Sequence, residues 1–188
     1  MYISERKIGE NEPVLIVAEL SANHNQDLNI AMKLVESSKK LGADAVKLQT
    51  YRPDTITMKS DKPYFQIKHD TIWDGDTLFS LYEKTFTPWE WHKEIKEYAE
   101  SLGLIFFSSP FDISSVDFLE DLNVPCYKIA SPEITDIPLI KYVASKKKPI
   151  IISTGLASFN DIDLAVETCR EESNDQIILL KCASSYPT

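Results

Sequence analysis

Six short, nearly continuous apolar runs, each separated from the next by an amphipathic stretch, constrain this chain more than any other feature of its sequence. The runs cover residues 14–20, 44–49, 104–108, 126–130, 149–153 and 176–182. Strands that are apolar on both faces belong to sheets covered on both sides, which means parallel sheets. Between the runs, residues 27–41, 88–102, 113–122, 137–145 and 160–171 carry helical periodicity. Thr87-Pro88 predicts a capping Thr followed by Pro at the first helical position. Leu-Gly at 41–42 and 102–103 predicts two helix stops. Serial strand–helix units imply right-handed crossovers.

Periodicity alone leaves an open doubly wound sheet and a closed barrel equally allowed. A complete (β/α)8 barrel takes about 250 residues, so 188 residues with about six βα units read as an incomplete TIM barrel of the α/β class. The expected organisation is an N-terminal cap or hairpin at 1–12 and a partial barrel at 13–188. Residues 51–86 form a connection far longer than ordinary βα loops, rich in aromatics and with a short helix expected near 77–84. It reads either as a lid or substrate wall, or as an extra packing layer or subunit contact.

Charge and composition exclude several classes. Twenty basic residues against 29 acidic give a net charge of −9, which argues against nucleic-acid or anionic-membrane partners. No apolar run approaches membrane-spanning length and residues 1–13 have no apolar core, so the expected location is cytoplasmic. Cys126, Cys169 and Cys182 show no metal-binding or disulfide spacing and read as reduced, buried thiols. His24, His69 and His92 lack helical ligand spacing, so no metal site can be assembled from this chain by spacing.

Parallel α/β enzymes place their chemistry at the carboxyl ends of the strands. Those ends carry Glu19, Lys47, Gln49, Ser109, Lys128, Ser131, Glu133, Ser153, Ser184 and Tyr186. Lys47 and Gln49, two apart, share a strand face. Lys128 stands inside an apolar strand, where an unpaired ammonium is costly. Glu19 paired with Lys47 or Lys128 accounts for some of this structurally. The surplus of lysines and hydroxyls at one rim is better explained by a bound phosphate. Trp89 and Trp91 read as packing residues, and Lys146–Lys148 as a solvated helix end.

The motifs AELSANHN, VKLQTY, FFSSPFD, VPCYKIAS with Glu133 following, KPIIISTG and LLKCASSYP occur in order along the chain. In sequence and spacing they resemble the sialic acid synthase family. Within it, GDTLFSLYEKTFTPWEWH is most similar to the pseudaminic acid synthases. The resemblance implies a TIM barrel followed by an antifreeze-like domain, absent here, in a domain-swapped homodimer. It implies condensation of phosphoenolpyruvate with an open-chain diacetamido-trideoxy hexose, giving pseudaminic acid and phosphate. An N-acetylneuraminate or legionaminate synthase, or a non-catalytic sugar- or anion-binding barrel, are the alternatives.

Residue by residue, Lys47, Ser109, Lys128, Ser131, Ser153 and Ser184 resemble the phosphoenolpyruvate-binding set. Gln49, Glu133 and Tyr186 resemble sugar-site residues, and Glu19, Gln49 and Glu133 the catalytic group. A divalent cation, Mn2+ or Mg2+, is implied, with its principal ligands beyond residue 188. A chain ending there is expected to be inactive alone. Tyr64 and Trp73 of the long connection are candidate contacts for the methyl groups of the sugar.

Overall fold

The computed structural model describes residues 1–68 and 73–183. Its six-stranded sheet is built from β3 (Val17–Glu19), β4 (Ala45–Thr50), β5 (Ile105–Pro110), β6 (Tyr127–Ile129), β7 (Ile150–Ser153) and β8 (Ile177–Leu180). Every pair is parallel and the strands lie side by side in chain order, β3 to β8. A doubly wound sheet reverses its order at a switch point. This one never reverses, so the alternative left open by periodicity resolves to a curled, incomplete TIM barrel.

The helices fall where their apolar spacing predicts: α1 (Leu28–Lys40), α4 (Trp89–Ser101), α5 (Ile113–Asp121), α6 (Ile137–Ser145) and α7 (Phe159–Glu171). The long connection adds α2 (Pro53–Ile56) and α3 (Leu78–Thr85). Side-chain caps start several of them: Asp27 accepts from Asn29 N, while Asp112–Ser115 and Ser158–Asp161 close capping boxes. Gly42 (φ 91°) and Gly103 (φ 69°) terminate α1 and α4 in the left-handed region, as predicted. Asn123, Lys147 and Ser173 adopt the same conformation after α5, α6 and α7, where no glycine announced it.

Two expectations change. Pro88, extended at ψ 130°, is itself the N-cap of α4 and makes no side-chain cap bond. The Thr87 hydroxyl is taken instead by His24 Nε2 at 3.0 Å. Lys146 and Lys148 are not simply solvated, because they pair with Asp117 and Glu120 on α5.

Alternation along the strands builds two cores. Outward residues such as Val46, Leu48, Phe106, Tyr127, Ile129, Ile150 and Ile152 pack beneath the helices. Inward residues Ala45, Phe107, Cys126 and Ile151 fill the lower interior, with Val17, Ile105 and Ile178 around them. The antiparallel pair β1 (Tyr2–Ile3) and β2 (Arg6–Lys7) lies below, and Ile3, fully buried, joins that interior cluster. Among the described residues no helix is long and apolar enough to cross a membrane.

Candidate active site

Above this apolar floor the inward positions turn polar. Strand register sets Glu19 beside Lys47 and Gln49 beside Ser109. With Lys128, Ser131, Ser153, Phe111 and Pro132 they line a cleft of about 380 Å³ at the carboxyl ends of the strands. The period of two that placed Lys47 and Gln49 on one face is therefore observed in space. Glu133 lies one residue beyond Pro132, in the 3-10 turn Pro132–Thr135. Ser184 and Tyr186 lie outside the described residues.

The two lysines are held differently. Lys47 forms an ion pair with Glu19 and donates to Ser109 Oγ at 3.3 Å. Glu19 also accepts from Ser21 N at 3.0 Å. Lys128, only 6% exposed, meets neutral partners: Ser153 Oγ at 2.5 Å and the Ile129 carbonyl at 2.6 Å. Burial, then repulsion from Lys47, pulls its pKa down to about 8. Such a cation, with no carboxylate within ion-pair distance among the described residues, is poised to accept an anion. Ser131 Oγ receives the Gly155 N–H at 3.2 Å, tying the β6 and β7 loops together.

Glu133 is pushed up by burial, with Lys128 opposing. Its Oε2 is buried and lacks a hydrogen-bond partner. Cys182 corrects the expectation of three buried thiols. Cys126 and Cys169 are buried, but Cys182 is partly exposed and lines the cleft. Burial opposes its ionisation, yet the hydroxyls of Ser153 and Ser131, the Thr154 N–H and Lys128 together lower its pKa.

Sequence reasoning missed the polar network on the outer face of the same strands. His92 Nδ1 lies 3.2 Å from the Pro88 carbonyl, so this nitrogen carries the proton and Nε2 accepts from Thr50 Oγ1 at 2.9 Å. Thr50 in turn accepts from Ser108 Oγ at 2.7 Å. Burial drops the His92 pKa to about 4, which keeps the ring neutral. His24 is likewise buried. Its Nδ1 accepts from Gln26 N at 3.1 Å, its Nε2 donates to Thr87, and its ring sits edge-on to Trp91. Trp89 stacks on Phe118 with centroids 4.6 Å apart, so both tryptophans pack as expected.

Among the described residues no group of three or more His, Cys, Asp or Glu side chains is placed to hold a metal ion. Glu19, the carboxylate nearest the lysines, is already engaged by Lys47. The described residues therefore do not by themselves fit a divalent cation. A second cleft, about 540 Å³, opens at the opposite ends of the strands. Its cations are occupied: Arg6 binds the Pro13 and Val14 carbonyls and faces Asp44, and Lys39 reaches the Gly103 carbonyl.

The known proteins that the chain resembles are sugar-acid synthases. The chain is 50% identical over 177 residues to a pseudaminic acid synthase of Helicobacter pylori, covering 94% of this chain and 52% of that protein. It is 38% identical over 195 residues to an N,N'-diacetyllegionaminic acid synthase of Legionella pneumophila, covering 98% and 54%. The chain thus spans about half the length of these relatives. An N-acetylneuraminic acid synthetase from Leptospira borgpetersenii superposes with a TM-score of 0.86 at 29% identity, over all of this chain and 60% of that one. The profile of the NeuB family matches residues 34–188, and the chain belongs to that family.

Proposed function

We propose that the protein carrying this chain condenses phosphoenolpyruvate with an open-chain 2,4-diacetamido-trideoxy hexose, giving a nine-carbon 2-keto acid of the pseudaminic type and phosphate. The observation that carries this reading is the meeting of Lys47 and Lys128 with Ser109, Ser131 and Ser153 in one cleft at the carboxyl ends of the strands. That arrangement suits a compact dianion bearing a carboxylate and a phosphate. Greater identity to the pseudaminic than to the legionaminic acid synthase supports the choice of sugar.

In this reaction C3 of phosphoenolpyruvate bonds to the aldehyde carbon, whose oxygen takes up a proton. Water adds at C2, the C2–O bond to phosphate breaks, and the ketone remains. Lys128 and Lys47 neutralise the anion, and Ser109, Ser131, Ser153 and Ser184 orient it. An anion on Lys47 competes with Glu19 for the ammonium, which frees the carboxylate to take a proton from water. Glu133, its pKa raised by burial, is assigned with Gln49 and Tyr186 to the sugar, where it is the carboxyl group better suited to hold a proton. A divalent cation implied by the family resemblance would polarise the aldehyde, held by ligands expected beyond residue 188. The same resemblance implies a domain-swapped homodimer for the full-length protein.

The test is phosphate release by the full-length protein with phosphoenolpyruvate and Mn2+, offered either the diacetamido-trideoxy altrose or N-acetylmannosamine. Release with the altrose alone, and a product of the corresponding mass, is expected. Release with N-acetylmannosamine alone overturns the choice of sugar, and release with neither overturns the pseudaminic reading, leaving another sugar or a non-catalytic barrel.

A further inference from the structure

The loop between β3 and α1 begins just after Glu19, and it needs outside support to keep its shape. Ser21, Asn25 and Gln26, none of them glycine, all lie in the left-handed region, at φ 47°, 49° and 56°. Residues with a Cβ are costly there and persist only where their surroundings fix them.

His24 supplies the grip. Its ring is 1% exposed and stands edge-on to Trp91 of α4. A backbone N–H can only donate, so Nδ1 receives the Gln26 N–H without a proton of its own, and Nε2–H donates to Thr87 Oγ1. Only the neutral ring in this tautomer makes both bonds, and burial favours the neutral ring. Gln26 adds a second bond in the same direction, from Nε2 to the Phe86 carbonyl at 2.5 Å. Three consecutive residues that close the long connection are thus held in turn: Thr85 by Tyr51, Phe86 by Gln26 and Thr87 by His24.

What this loop offers Glu19 is one N–H. Ser21 N donates to Glu19 Oε1 at 3.0 Å, while Lys47 pairs with Oε2. The Glu19 side chain is 42% exposed, so packing alone does not fix it. An anion that draws Lys47 away leaves the carboxylate to the Ser21 N–H.

We propose that His24, anchored on Thr87, positions Glu19 for the reaction by holding the loop that sets the Ser21 N–H against its carboxylate. This rests on the reading of the cleft as a synthase site with Glu19 among its reacting groups. His24 acts through Ser21 and Glu19 and is a positioning residue. Its effect belongs to turnover more than to anion binding, because Lys128, Ser131 and Ser153 are carried by β6, β7 and the loop after β6, away from this loop.

The experiment measures kcat and KM for phosphoenolpyruvate in the full-length wild type, Thr87→Val, Thr87→Ser and His24→Ala. It uses whichever of the diacetamido-trideoxy altrose and N-acetylmannosamine the wild type turns over, and hydrogen exchange across residues 20–27 is read alongside. Thr87→Val keeps the shape and removes the acceptor. It is expected to lower kcat roughly tenfold, and His24→Ala roughly 100-fold, with KM for phosphoenolpyruvate within about threefold. Exchange over residues 20–27 should quicken in the same order. Thr87→Ser restores the hydroxyl and should keep kcat within about twofold of the wild type. Faster exchange with kcat unchanged per folded molecule makes His24 a purely structural residue and overturns the proposal. A loss carried mainly by KM for phosphoenolpyruvate overturns it as well. Should His24→Ala not fold, Thr87→Val gives the same reading. A wild type that turns over neither sugar overturns the pseudaminic reading and this role of His24 together, whereas wild-type turnover with an unmoved kcat in Thr87→Val overturns the role of His24 alone.

Discussion

At the carboxyl ends of β4 and β5, side chains one residue apart face opposite ways and do opposite work. Gln49 and Ser109 point into the barrel beside Lys47. Thr50 and Ser108 point outward, to His92 of α4. Both layers are polar, but they differ in closure. The outer hydrogen bonds run from Ser108 through Thr50 and His92 to the Pro88 carbonyl and end there. The inner layer leaves Lys128 facing only neutral oxygens and Glu133 Oε2 without a partner. Polar groups that satisfy one another hold the fold, and those left short are available to a ligand.

The contrast breaks most sharply at Lys128. Lys128→Met in the full-length protein is expected to lower kcat/KM on the order of a thousandfold. Thermal stability should hold or rise, because a buried cation gives way to an apolar isostere. A large drop in melting temperature would mean that Lys128 belongs to the scaffold instead.

His92 tests the outer layer. Its pKa is about 4 in the fold against an ordinary 6.5, so the unfolded chain binds more protons between those values. Stability should therefore fall as pH drops from about 6.5 to about 4, by roughly 3 kcal/mol at about 1.4 kcal/mol per pH unit. Denaturation measured across that range checks it, and His92→Gln should flatten the slope. Next in size, Thr50→Val leaves His92 Nε2 and the Ser108 hydroxyl unpaired, costing about 1–3 kcal/mol of stability. KM for phosphoenolpyruvate should stay within about twofold; a larger rise would show the two layers to be coupled.

The smallest effect returns to the inner layer. Lys128 must be protonated to hold an anion, and its pKa in the free site is about 8. Above that pH, kcat/KM for phosphoenolpyruvate should fall about tenfold per unit. A profile flat to pH 9.5 would place the anion on Lys47 alone.

These two layers were not equally legible in the sequence. Lys47, Gln49, Ser109, Lys128 and Ser153 could be found because apolar runs stop where polar residues begin, and a strand has a period of two. His24 and His92 could not. Each is satisfied by a threonine far along the chain, 63 residues away for His24 and 42 for His92, so no local pattern announces either pairing. Cys182 reads as core because it closes an apolar run, and only its place just past β8, at the rim, exposes it. The aromatic content of the long connection was plain. Where the connection docks was decided by the Tyr51–Thr85 bond that pins the last turn of α3, a contact that periodicity does not reach. Pro88 likewise looked like a first helical residue, until the demand of His24 for the Thr87 hydroxyl fixed the entry to α4.

The hairpin beneath the barrel, which buries Ile3, has a consequence for how the chain is made. Ile3 leaves the ribosome long before Phe107, Cys126 and Ile151, the side chains it packs against. Until those strands emerge and curl, it has nowhere to go, so the floor is among the last parts of this structure to close. Contacts this far apart in sequence slow folding and leave early apolar residues open to chaperones or to neighbouring chains on the same message. A bulky fusion placed just before Met1 would have to wait at that same threshold.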